Sequence, residues 1–216
     1  TTRVAFKAVY TPNALIGESD KTFYKIGNNT AVWKKADLEK QILAVATTVM
    51  NLTSAETADY KVKLDAAANN ISGKAGQHMI TADNIVYNGS GSSKVPAALA
   101  AINTKLGLTA TSGISTYLNG EAYYIARIKH FNKLTDWTPG TAYGTNNADF
   151  LGRYGVLRNN WYELSVKSIS GLGYPDVPVV KPDVPDDENS KYINVEVKIL
   201  DWAKRTQDIN LYTKAR

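Results

Sequence analysis

Val4, Phe6, Ala8 and Tyr10 recur at every second position of Arg3–Tyr10, a period that predicts a strand with one apolar face. A shorter strand over Thr22–Ile26 is closed by Gly27-Asn28-Asn29. The period then changes. Leu38, Ile42, Val45 and Val49 recur at helical spacing with Lys and Glu opposite, which predicts an amphipathic helix over Lys34–Met50. Thr53-Ser54-Ala55-Glu56 has the form of a capping box and opens a second helix expected to run through Ala68. A third is announced by Pro96 near its first turn and stopped by Gly107, with Leu99, Ile102 and Leu106 on one face.

After Ser115 the strand pattern returns. Tyr117-Leu118, the dipeptide Asn119-Gly120, and Glu121–Phe131 together predict a hairpin. Trp161–Ile169 carries Tyr162, Leu164 and Val166 on alternate positions, and Tyr192–Trp202 sets Ile193, Val195, Val197 and Ile199 against Asn194, Glu196 and Lys198. The expected core comprises Ile193, Val195, Val197, Ile199, Leu164, Val166 and Trp161. A short last strand is expected over Gln207–Thr213, with Ile209 and Leu211 facing inward. Between the long strands, Pro175, Pro178, Pro182 and Pro185 stand beside Asp183, Asp186, Asp187 and Glu188. Proline at this density holds a chain extended and removes ladder donors, so residues 174–190 are expected to form a stiff surface connection. Strands, a helical block and strands again imply a mainly β sandwich with a helical insertion at about residues 34–107, in one domain spanning 1–216.

Composition narrows the function. With 44% apolar and 21% charged residues, the 216-residue chain is an ordinary globular sequence. It has no cysteine, which excludes a thiol nucleophile, a disulfide framework and a thiolate zinc site. The 25 Lys and Arg against 20 Asp and Glu give a net charge of +5, but they are scattered rather than clustered, so no nucleic-acid partner is expected. No apolar run approaches the ~18–20 residues of a membrane span. The chain opens on Thr1-Thr2 without Met and closes on Arg216, as expected of a mature or excised fragment.

Candidate chemistry is sparse. Gly89–Lys94 lacks the second glycine of a phosphate loop, and Gly171-Leu172-Gly173 lacks a third glycine and a following helix. His78 and His130 have no second ligand at metal-binding spacing, and no Gly-x-Ser-x-Gly elbow places a nucleophile. The acidic cluster lacks the glycine and terminal glutamate of a calcium loop. No enzyme activity, cofactor or metal is therefore expected.

Several blocks in order carry a resemblance. Tyr123–Phe131 ends in His130-Phe131, and residues 155–173 read GVLRNNWYELSVKSISGLG. The Pro/Asp-rich connection, Ile193–Trp202 and Arg205-Thr206-Gln207-Asp208 complete the series. Residues 117–211 thus resemble the Bacteroidales fimbrillins, most closely the C-terminal domain of the Mfa-type subunits of short fimbriae. The resemblance implies a type V pilin with a transthyretin-like Greek-key sandwich, displayed in an extracellular fimbrium at the bacterial outer membrane surface. It implies polymerisation by strand exchange, and a role in adhesion, co-aggregation, biofilm formation and virulence. The implied partners are other copies of the pilin, accessory fimbrial subunits and host or bacterial surface receptors. The precursor would be membrane-linked through a lipid anchor absent from this chain. Within that frame the terminal segment Asp208, Ile209, Asn210 and Leu211 is the candidate polymerisation element. A carbohydrate- or protein-binding sandwich module, with Trp137, Tyr143 and Tyr154 as a stacking platform, stays open as the alternative.

Overall fold

The structure, a computed structural model, describes residues 2–64, 71, 76–128, 155–178 and 193–201. Its elements are β1 (Arg3–Val9), β2 (Phe23–Ile26), α1 (Lys35–Met50), α2 (Ser54–Thr57), β3 (Tyr60–Val62), β4 (Gln77–His78), β5 (Ile85–Tyr87), α3 (Val95–Lys105), β6 (Ile114–Tyr117), β7 (Glu121–Arg127), β8 (Asn160–Ile169) and β9 (Ile193–Asp201). The fold is mainly β, with antiparallel sheets in the orders β1-β7, β2-β6-β4, β3-β5 and β8-β9, and few helices.

Two of the helical expectations hold closely. In α1, Leu38, Ile42, Ala46 and Met50 are buried, and Asn51 caps the end in a left-handed conformation, its N–H shared by the carbonyls of Thr47 and Thr48. In α3, Pro96 lies in the first turn, Ile102 is fully buried, and Leu99 and Leu106 pack at the edge of the core.

The second helix differs. Its capping box forms, with the Thr53 amide donating to Glu56 Oε2 at 2.8 Å and the Glu56 amide to Thr53 Oγ1 at 3.3 Å. Yet α2 stops after Thr57, and Tyr60–Val62 pairs with Ile85–Tyr87 instead. The Tyr60 and Tyr87 rings lie 4.8 Å apart across that ladder, and Tyr60 Oη accepts the Lys94 amide at 3.2 Å. A partner strand more than twenty residues away overrides local helix preference. The stretch between residues 34 and 107 therefore carries β3, β4 and β5 as well as its helices.

The expected hairpin also resolves differently. β6 and β7 do not pair with each other; β6 lies between β2 and β4, while β7 pairs with β1. All four residues of β6 are buried and both of its edges are taken, so no edge is left for β7. Asn119 (φ 52°) and Gly120 (φ 76°) turn the chain from one sheet into the other. A side chain at Gly120 would strike the Tyr10 carbonyl, and the Tyr10 amide donates to Gly120 O at 2.9 Å. Only glycine permits that corner.

Two apolar clusters result. The larger joins α1 and α3 to β2, β3, β5 and β6 through Leu38, Ile42, Ile102 and Ile114. The smaller gathers Leu15, Phe23, Tyr117, Ala122 and Tyr124, with Phe6, Ala8, Leu172 and Ile193 at its margin. These clusters, rather than β8 and β9, hold the fully buried apolar side chains of the described residues.

Candidate assembly surface

The β8–β9 ribbon borders the smaller cluster. Its register opposes Tyr162 to Ile199, Leu164 to Val197 and Val166 to Val195, so these side chains share one face. A register shift between Val166 and Ser168 brings Ile169 opposite Ile193. Without that bulge, alternation would turn Ile169 to the other face. This face is apolar yet incompletely covered. Ile193, Val195, Val197, Ile199 and Leu164 are half-buried, and Val166 is 43% exposed.

Trp161 requires a correction. Asn159 lies in a turn just before β8 (φ 62°), but Trp161 pairs with Leu200 on the opposite face and is 62% exposed. The reason is parity: in a strand of period two, residues 161 and 164 cannot face the same side.

The ribbon is fastened to β6 and β7 by the Gly171-Leu172-Gly173 segment, which binds tyrosines rather than phosphate. Tyr124 Oη donates to Gly171 O and Tyr117 Oη to Gly173 O, each at 3.0 Å. Tyr123 and Tyr174 exchange both backbone hydrogen bonds at 2.8 Å. A Cβ at Gly173 would meet the Tyr124 ring and the Tyr123 carbonyl, so the close approach needs glycine. Beside this clasp opens a cleft of about 450 Å³, bordered by Tyr10, Lys25, Val32, Tyr124, Ile169 and Leu172. It is an opening in the wall of the smaller cluster, since Val32 and Leu172 belong to both.

Backbone edges complete the surface. Among the described residues β1 pairs on one side, with β7, and β8 pairs on one side, with β9. An edge strand offers free N–H and C=O groups to an incoming segment. Exposed Lys7 on β1, paired to Glu121 at 2.9 Å, is the kind of charge that discourages indiscriminate edge pairing.

His78 is buried in β4, its Nε2 has no hydrogen-bond partner, and burial pushes its pKa below the ordinary 6.5. It is a neutral packing residue. Between pH 6.5 and that lower value the unfolded chain binds a proton that the folded chain does not, so stability should fall as the pH drops through this window. The carboxylates Glu18, Glu121 and Glu196 have pKa values lowered from 4.5, chiefly by hydrogen bonds from Lys34, Lys7 and Lys167, so their effect begins at lower pH. The expected result is a urea midpoint that declines between pH 7 and 5 in the parent chain and is flat in His78→Gln. Equal slopes would show that His78 is not the titrating group. No group of three or more His, Asp or Glu able to hold a metal occurs among the described residues.

Several expected site residues lie outside the described residues: Asp208, Ile209, Asn210, Leu211, His130, Trp137, Tyr143, Tyr154 and the acidic cluster 183–188. The tyrosine–glycine clasp gives no local signal in the sequence, because its partners stand 47 and 56 residues apart. Exposed Val9, Tyr10, Ile16 and Leu118 were missed as well. Apolar residues placed in or beside turns, next to Pro12, Gly17 and Gly120, were the available clue.

Residues 115–208 match the family model described as the C-terminal region of the major fimbrial subunit protein type IV, fimbrillin. The matched stretch begins at β6 and takes in β7, β8 and β9. No curated protein gives a significant match. The match lies in the second half of the chain, and what it describes is the C-terminal part of a fimbrial subunit. Among the described residues no helix is long and apolar enough to cross a membrane.

Proposed function

We propose that this chain, whose second half matches the fimbrillin C-terminal region, is a structural subunit of cell-surface fimbriae that polymerises by strand exchange. The family match over residues 115–208 is the observation that carries this reading. The physical features agree with it. A fibre subunit needs a rigid sandwich, a free edge and an apolar groove able to accept an extended segment, with main-chain hydrogen bonds supplying affinity and alternate side chains supplying register. The half-covered face of β8–β9, the edges of β1 and β8, and the cleft beside Tyr124 supply candidates for each.

In this reading the donor is the C-terminal stretch Asp208–Leu211, where Ile209 and Leu211 alternate with Asp208 and Asn210. A terminal strand has one covalent connection and is the easiest to detach. Fimbriae so built support adhesion, co-aggregation and biofilm formation at the bacterial outer membrane, with accessory subunits and host or bacterial receptors as partners.

Deleting Asp208–Arg216 from the full-length subunit, expressed in a fimbriate cell, tests the donor assignment. The expected result is secreted, folded monomer with no SDS-resistant ladder and no fibres by electron microscopy. Normal SDS-resistant ladders from the deletion would remove the C-terminal segment from the mechanism.

A further inference from the structure

The two ends of the β1–β7 sheet both expose apolar side chains. At the end where β1 pairs Val9 with Glu121, the connections 10–22 and 118–120 close the sandwich. There Ile16 is 69% exposed, Val9 65%, and Leu118 and Tyr10 about half. Turns normally carry polar residues, so four large apolar groups at one end are unusual. Leu15, next to Ile16, is buried in the smaller cluster, and the Asn119 amide donates to Thr22 Oγ1 at 3.1 Å. Ile16 and Leu118 are therefore presented by a braced end.

The opposite end, where Arg3 pairs with Arg127, lies six residues along the strand, roughly 20 Å away. The Gly155 amide donates to Ile128 O at 2.9 Å and so brings the 155–158 turn to that end. The Leu157 amide donates to Tyr162 Oη at 2.8 Å, fixing the turn on β8. Val156, Leu157, Trp161 and Leu200 are exposed there. The charges differ as well: exposed Arg158 stands in this turn, whereas exposed Asp20, its Oδ1 accepting the Thr22 amide at 2.8 Å, stands at the Ile16 end.

We infer that these two patches are the halves of one head-to-tail contact between copies of this chain, the Ile16–Leu118 end of one copy seating on the Leu157–Trp161 end of the next. A single heterologous contact covers both apolar ends, brings Asp20 towards Arg158, and repeats without closing when its rotation does not return to the start. This inference rests on the proposed fibre role and adds to it a side-chain contact distinct from strand exchange. It needs neither a free edge nor the segment 208–216.

The test is sedimentation velocity on the 216-residue chain up to about 1 mM, a concentration at which even a millimolar contact is well populated. The parent chain should give a concentration-dependent, SDS-sensitive series of oligomers. Ile16→Ser/Leu118→Ser and Leu157→Ser/Trp161→Ser should each melt as the parent does and self-associate at least tenfold more weakly. Their equimolar mixture should stop at dimers, because one intact contact remains in each pair. A monomeric parent chain, a variant that associates like the parent, or a mixture that forms longer chains would overturn the contact. The chain lacking Asp208–Arg216 should retain these reversible oligomers. Their loss in that deletion would overturn the end contact and leave strand exchange standing, whereas SDS-resistant ladders from it would overturn strand exchange alone.

Discussion

Phe23→Ala is expected to lower the unfolding free energy by about 3–5 kcal/mol, the range for deleting a buried phenylalanine. Phe23 is fully buried, stacks on Tyr117 with ring centroids 4.6 Å apart and 8° between planes, and meets the edge of Tyr10 at 5.8 Å. The stacked partner is also its register partner, since β2 opposes Phe23 to Tyr117. Truncation would thus remove an aromatic pair and leave a void among Leu15, Ala122 and Tyr124, where the sheets meet. Backbone on both sides is held by β-ladders, so collapse around the void is limited. Against a total stability of about 5–15 kcal/mol, such a loss is large. Equilibrium urea unfolding gives the number. A decrease below about 1.5 kcal/mol would mean that the smaller cluster repacks freely and that its role here is overstated.

Asn103→Leu is expected to cost about 2–4 kcal/mol, although leucine is close in size and helical preference favours it. Asn103 is buried in α3, and its amide satisfies both backbone groups of Ile80. Oδ1 accepts the Ile80 amide at 2.9 Å, while Nδ2 donates to Ile80 O at 2.9 Å and to Leu99 O at 3.1 Å. Leucine would leave the Ile80 N–H and C=O buried without partners, each a desolvation penalty of about 1–3 kcal/mol. Thermal and urea unfolding should agree on the loss. Amide exchange at Ile80 should quicken selectively, because its acceptor is gone. A neutral or stabilising substitution would show that water or a shifted backbone replaces the side chain.

Local order was well encoded in single segments. The alternation of Arg3–Tyr10, the helical spacing of Leu38, Ile42 and Val49, the capping pair Thr53 and Glu56, and the proline and glycine bounding α3 each specify their own few residues of backbone. Such signals are short-range, because they rest on periodicity and on hydrogen bonds within a turn. The order of blocks from Tyr123 to Asp208 likewise led to the family that the match over residues 115–208 supports.

Partners distant in sequence decided the rest. Asn119-Gly120 specifies a turn in either topology, and only the occupation of both β6 edges makes it a corner between sheets rather than a hairpin. Tyr60–Val62 became a strand because Ile85–Tyr87 was available to pair with it. The clasp of Tyr117 and Tyr124 on Gly173 and Gly171 spans 56 and 47 residues, beyond any local pattern. Trp161 is the instructive case between the two. Its hydrophobicity argued for the core, while its odd spacing from Leu164 had already placed it on the other face. Hydrophobicity states only that burial would be favourable. Strand parity, and the element that lies across the sheet, determine whether it occurs.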